Sequence, residues 1–303
     1  MQTSGNLPYH LIAFIVVAIW GSTFISTKVL IAHGISPAQI FTIRFGIAYL
    51  LMLLVSHKQI FTKSLKDELL MVALGVTGGS AYFLTENEAL RFSTATNVSL
   101  IVCSCPLFTM ILYRLVFKNI RLSRRQMIST ILAFVGMAVV VFNGRFVLHL
   151  SPVGDSLALA ACLCWAFYSL LMKYATEHYS STFITRKVFF YGLLTVLPYY
   201  LIDPHFPSFT QLTQPVVMYN LLFLGCIASM LCFLAWTWAI FHLGAIKTTN
   251  YVYVNPVTTI IFAAWILNEK ITSFFILGSV LILIGLYLSN KKEQSTLEGQ
   301  LPF

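Results

Sequence analysis

Apolar residues in this chain come in long runs, and polar residues fall in short gaps between them. Ten runs can be drawn, at 10–31, 37–56, 68–90, 95–117, 125–143, 152–176, 183–202, 215–240, 246–267 and 273–290. A run of about 20 residues, rising about 1.5 Å each, covers the roughly 30 Å hydrocarbon core of a bilayer. The gaps hold turn formers: His33-Gly34-Ile35-Ser36-Pro37, Asn143-Gly144, Ser151-Pro152 and Asp203-Pro204. The pattern predicts an all-α polytopic membrane protein of ten transmembrane helices, spans 1 to 10, with no room for a soluble domain. Residues 291–303, rich in Ser, Glu and Gln, read as a short cytoplasmic tail without structure.

The pattern is written twice. An offset of 150 places Pro256 on Pro106, Gly225 on Gly75, Phe233 on Phe83, Val252 on Val102 and Thr259 on Thr109. Apolar matches come cheaply in a chain this hydrophobic, so the glycine, phenylalanine and proline pairs carry the weight. The chain divides into a first five-helix repeat, 10–143, and a second, 152–290. Five is odd, so the second repeat enters the membrane upside down relative to the first. Inverted repeats place a shared cavity near the midplane, and rocking one against the other gives alternating access.

Composition agrees. Hydrophobic residues make up 58% of the 303 and charged residues 10%, whereas a soluble domain carries about a quarter charged. The net charge of +9 might suggest nucleic acid, but the basic residues lie in the gaps and no basic face is interleaved with aromatics, so no nucleic-acid partner is expected. With the N-terminus inside, one side of the membrane receives Lys58, Lys63, Lys66, Lys118, Arg121, Arg124, Arg125, Arg186, Lys187, Lys247, Lys291 and Lys292. The other receives Arg91, Arg145 and Lys270. That excess puts both termini in the cytoplasm. All six cysteines lie inside apolar runs without metal-ligand spacing, so they read as packing residues, with no metal or cofactor expected.

Five-plus-five short helices, Trp20 and Trp165 near the middle of spans 1 and 6, and Pro106 and Pro256 in spans 4 and 9 resemble the drug/metabolite transporter superfamily, EamA type. So does the end of span 9 running into Asn268-Glu269-Lys270-Ile271-Thr272. The likeness covers about residues 10–290. The first half departs from it at Ile120-Arg121-Leu122-Ser123, where no acid matches Glu269. The resemblance implies a secondary exporter of small metabolites, amino acids or drugs in a bacterial inner membrane.

Ionisable groups at membrane depth mark function by default, because burying them costs a few kcal/mol or more. Gly75, Gly79, Tyr82 and Glu86 fall at i, i+4, i+7 and i+11, on one helix face that the glycines allow a neighbour to approach. Glu86 is therefore either a cavity carboxylate, meeting an amine or carrying a coupling proton, or a structural carboxylate near the outer interface. Trp20, Phe24, Trp165 and Tyr168 are candidates for an aromatic lining, with Trp236 on the repeat's counterpart of the Glu86 face. Lys28 and Lys173 read as snorkelling anchors. Pro106 and Pro256 are expected to kink their helices by clashing with the carbonyls of Val102 and Val252. Asn97, Ser104, Tyr251, Asn255 and Thr258 bring polar groups to the same levels. Arg44, deep in span 2, could neutralise Glu86 or bind a carboxylate. Glu88 and Arg91 have the spacing of a helix-surface ion pair.

An intramembrane enzyme would need converged catalytic groups, and no such constellation occurs in the sequence. A secondary transporter is the leading reading, with a small-molecule substrate, contact with membrane lipid, proton coupling left open, and a monomer or homodimer as the functional unit. The alternative is a lipid-carrier or nucleotide-sugar translocator of the same architecture.

Overall fold

The computed structural model describes residues 6–56, 59–93, 95–117, 123–142, 151–258, 261 and 272–290, with the side chains of 95–97, 99 and 290 excepted. Among the described residues, the helices other than the single turns Tyr199–Ile202 and Phe209–Leu212 fall into ten runs. The first five are α1 (Leu7–Ala32), α2 (Pro37–Val55), α3 (Leu65–Phe92), α4 in two pieces (Ala95–Val102 and Cys105–Val116) and α5 (Arg124–Phe142). The second five are α6 (Pro152–His178), α7 (Ser181–Val196), α8 (Pro215–Leu243), α9 (beginning at Ala245–Thr249) and α10 (Ser273–Asn290). Among the described residues, six of these are long and apolar enough to cross a membrane: α1, α2, α3, α5, α6 and α8, with α3 kinked at Gly79.

Local chemistry sets several starts. Ser36 and Gln39 form a reciprocal capping box before Pro37, which needs no hydrogen-bond partner at that position. Ser151 accepts from the Gly154 amide, and Asp155 in the first turn of α6 accepts from the Ser151 amide at 3.0 Å. Large apolar side chains also face outward, Leu50, Leu54 and Leu115 among them, as lipid contact requires.

Two expectations change. Span 7 does not run unbroken over 183–202: α7 ends at Val196, Pro198 follows, and Tyr199–Ile202 forms a separate turn. Arg186 and Lys187, placed by sequence in a gap, are buried on the first turns of α7. Arg186 donates to the carbonyls of Ser56 and Gln59, and Lys187 pairs with Glu68, which also accepts from Tyr191. These bonds fasten the α2–α3 connection of the first repeat to α7 of the second.

The prolines act differently from expectation too. Pro106 does not kink a continuous helix. The helix stops at Val102, turns through Cys103 and Ser104, and restarts with Pro106 in its first turn, where a missing amide costs nothing. On the other side of the repeat, Asn250–Val254 tightens to a 3₁₀ helix before Pro256. The Val252 carbonyl, orphaned by Pro256, takes the Asn255 amide instead.

Two helices carry π segments, Val76–Ser80 in α3 and Phe223–Leu231 in α8. The offset of 150 lays the first within the second. Small residues let the helices close up around them. A Cβ at Gly75 would lie 2.4 Å from Tyr191 Cβ, and one at Gly78 would lie 2.3 Å from the Tyr168 ring. The most extensive seam joins α5 to α10. There a Cβ at Gly136 would sit 2.7 Å from the Gly278 carbonyl oxygen, and one at Gly285 would sit 2.7 Å from that of Ser129.

Candidate functional site

A narrow cavity of about 40 Å³, room for a few water molecules, lies between the two repeats. α1 contributes Trp20, Thr23 and Phe24, α2 contributes Arg44, and α3 contributes Tyr82, Phe83 and Glu86. Val102 and Cys105 come from the two pieces of α4, Trp165 from α6, Phe233 from α8, and Val252 and Asn255 from α9.

Two opposite charges face this space. Glu86, 8% exposed, accepts a hydrogen bond from the Tyr82 hydroxyl at 2.7 Å. Arg44, 2% exposed, donates from Nε to Ser229 Oγ at 2.9 Å, and its guanidinium lies 4.3 Å from the Phe83 ring centroid. The two do not form an ion pair: Arg44 and Glu86 share a cavity wall, and neither occupies the other's hydrogen-bonding capacity. The four terminal N–H groups of Arg44 and one oxygen of Glu86 make no hydrogen bond among the described residues.

The rest of the wall is aromatic. Trp20 meets Trp165 edge-on at 5.4 Å, and Tyr82 lies 5.0 Å from Trp165. Trp165 Nε1 is buried without a hydrogen-bond partner. The π segment of α8 fixes two of the lining residues, since the Ala228 carbonyl accepts from Trp20 Nε1 at 2.9 Å and the adjacent Ser229 holds Arg44. Side-chain insertions of this kind accompany π segments, which recur at functional sites.

Among the residues singled out from sequence, Trp20, Phe24, Tyr82, Glu86, Trp165 and Asn255 line the cavity. Tyr168 and Trp236 are fully buried behind it, at 5.1 Å and 6.2 Å from Trp165. Ser104 is spent on the Ile101 carbonyl at 2.5 Å, in the break of α4. Tyr251 meets His10 at 2.9 Å, away from the cavity. The side chain of Asn97 lies outside the described residues, as do Glu269 and Lys270. Glu88 and Arg91 pair at 3.0 Å on the helix surface.

Thr23, Phe83, Val102, Cys105, Phe233 and Val252 escaped the sequence reading as lining residues. The offset of 150 could have found most of them: Phe83 with Phe233, Val102 with Val252, and Cys105 with Asn255 are repeat-related pairs on opposing walls.

The sequence profile of the EamA-like transporter family matches twice, over residues 7–142 and 152–291. The chain belongs to that family. An uncharacterized transporter of Archaeoglobus fulgidus is 27% identical over 292 residues, spanning 95% of this chain and 99% of that one. A probable amino-acid metabolite efflux pump of Salmonella typhimurium is 27% identical, covering 92% and 93% respectively. A crystal structure with 14% sequence identity superposes with a TM-score of 0.74 over 94% of this chain and 98% of that one, so the fold is shared. EamA membership accounts for the fold as two inverted five-helix repeats in an integral membrane protein.

Proposed function

We propose that this chain is a secondary transporter that exports small α-amino acids or similar amphipathic metabolites from the bacterial cytoplasm by alternating access. The observation that carries this reading is the pair of oppositely charged, mutually unpaired side chains in one aromatic-walled cavity between the repeats. Arg44 offers a planar fork matched to a carboxylate, and Glu86 offers an acceptor for an ammonium. Trp20, Tyr82 and Trp165 receive the side chain. A room of about 40 Å³ is too small for an amino acid, so loading requires the halves to part, as rocking of inverted repeats supplies. Relatives named as probable amino-acid metabolite efflux pumps support the same substrate class. A single cation on the wall, among the described residues, fits a carboxylate better than the diphosphate of a nucleotide sugar or lipid carrier. The excess of basic residues at the end that carries both termini supports a cytoplasmic location for them.

The test is counterflow in proteoliposomes with labelled phenylalanine, leucine and glutamate, with and without a pH gradient. Arg44→Gln is expected to raise the amino-acid KM by about tenfold or more, the scale of a lost charge-assisted bond. Glu86→Gln is expected to abolish the response to the pH gradient. Intact exchange and intact pH response in Glu86→Gln would reduce Glu86 to a structural partner of Tyr82.

A further inference from the structure

The cavity wall continues along α6. Ser169 follows Trp165 by one turn and bonds its carbonyl at 2.9 Å. Lys173 follows Ser169 by another turn, about 12 Å along the axis from Trp165. Lys173 lines a second space, a groove of about 320 Å³ at the end of the bundle that carries the N-terminus, together with Tyr113, Gln126, Glu177, Gly244 and Lys247. Between the two spaces on α6 lies Ser169, and we call the contacts at this residue the plug. The Tyr113 hydroxyl reaches the Ser169 carbonyl at 3.5 Å, and Thr249 donates to Ser169 Oγ at 3.3 Å. Tyr113 belongs to both groove and plug.

Two lysines, Lys173 and Lys247, outnumber the one carboxylate in the groove lining, Glu177, and leave it a net positive charge. Lys173 lies 3.9 Å from the centroid of Phe117, against a ring instead of a carboxylate. Neither Lys173 nor Lys247 makes an ion pair among the described residues. Lysines at this end also serve membrane orientation, but that role needs only charge near the surface. It does not need two lysines converging on a groove two helical turns from the central cavity.

Resting on the transport reading above, we propose that this groove is a binding vestibule for the solute's carboxylate, in which Lys173 and Lys247 gather the anion before the plug opens to the Arg44 cavity. The sidedness is explicit. The lysines act on solute arriving from the N-terminal end and do nothing for solute arriving from the opposite face. They act through charge, so they discriminate a carboxylate from its absence and weaken with salt.

The experiment is exchange of labelled phenylalanine, and of labelled phenethylamine, in vesicles sorted by exposure of the N-terminus. The variants are Lys173→Gln with Lys247→Gln, and Lys66→Gln as an exposed lysine at the same end outside the groove. The double variant should raise the phenylalanine KM about fivefold from the N-terminal side, the scale of a rim charge. It should leave the KM from the opposite side and the phenethylamine KM unchanged, and the difference should shrink at high salt. An equal rise with Lys66→Gln would overturn the vestibule in favour of general surface charge. A rise seen only in vesicles of anionic lipid would overturn it in favour of a lipid headgroup on the lysines. Unchanged kinetics from both sides would remove the vestibule and leave the transporter standing. A folded wild type that exchanges neither probe would sink the transport reading and this one together.

Discussion

Arg44 shows how a buried charge is tolerated here without a counter-ion in contact. Its Nε is satisfied by Ser229 and its plane by Phe83, while its terminal nitrogens face the cavity. Lysine cannot copy this arrangement, because an ammonium has no plane to lie on the ring and no separate Nε donor that can hold Ser229 while a two-nitrogen fork stays free. Arg44→Lys is therefore expected to keep the protein folded and raise the amino-acid KM at least about fivefold, read by counterflow. Ser229→Ala should act through Arg44 and move KM in the same direction by a smaller factor, leaving kcat near wild type. Equal KM for Ser229→Ala and wild type would mean that the Nε contact does not position the guanidinium.

At the scale of elements, the glycines on α3 are set by contact. A methyl at Gly78 collides with the Tyr168 ring, which is itself fully buried against Trp165. Gly78→Ala is expected to cost about 1–3 kcal/mol, as overpacking does, seen as a lower melting temperature in detergent. Gly46, with open space around its Cβ position, is the control, and Gly46→Ala should leave the melting temperature near wild type. The ten runs and the duplication were legible in the sequence because hydrophobicity and residue identity record them directly. The π segments were not, since an extra residue in a turn leaves an apolar run just as apolar. The break at Cys103–Ser104 was missed for a related reason. Pro106 says that a helix cannot pass unaltered, and only tertiary contacts decide between a kink and a fresh start. Tyr168 and Trp236 were assigned to the lining because aromatic type marks the neighbourhood of such a cavity, whereas rank within it depends on helix rotation.

For the whole molecule, the ends of the two repeats are fastened by Arg186, Lys187 and Glu68. Lys187→Met leaves Glu68 with Tyr191 and Thr62 as partners but no cation. Removing one member of such a half-buried pair should destabilise by about 1–3 kcal/mol, below the cost of breaking a fully buried pair. Faster hydrogen exchange across residues 59–68 would report it. If exchange there is unaltered, the carbonyl contacts of Arg186 hold the connection alone.

The seam between α5 and α10 has a mechanical meaning. Gly136, Gly278 and Gly285 bring two backbones from opposite repeats into direct contact, with the side chains of Ala133, Val140 and Leu281 packed tightly against them. A joint without slack can turn but cannot stretch. In the alternating access proposed above, this edge is the expected pivot, and the Arg44 cavity, which draws no lining residue from α5 or α10, is where the repeats would part.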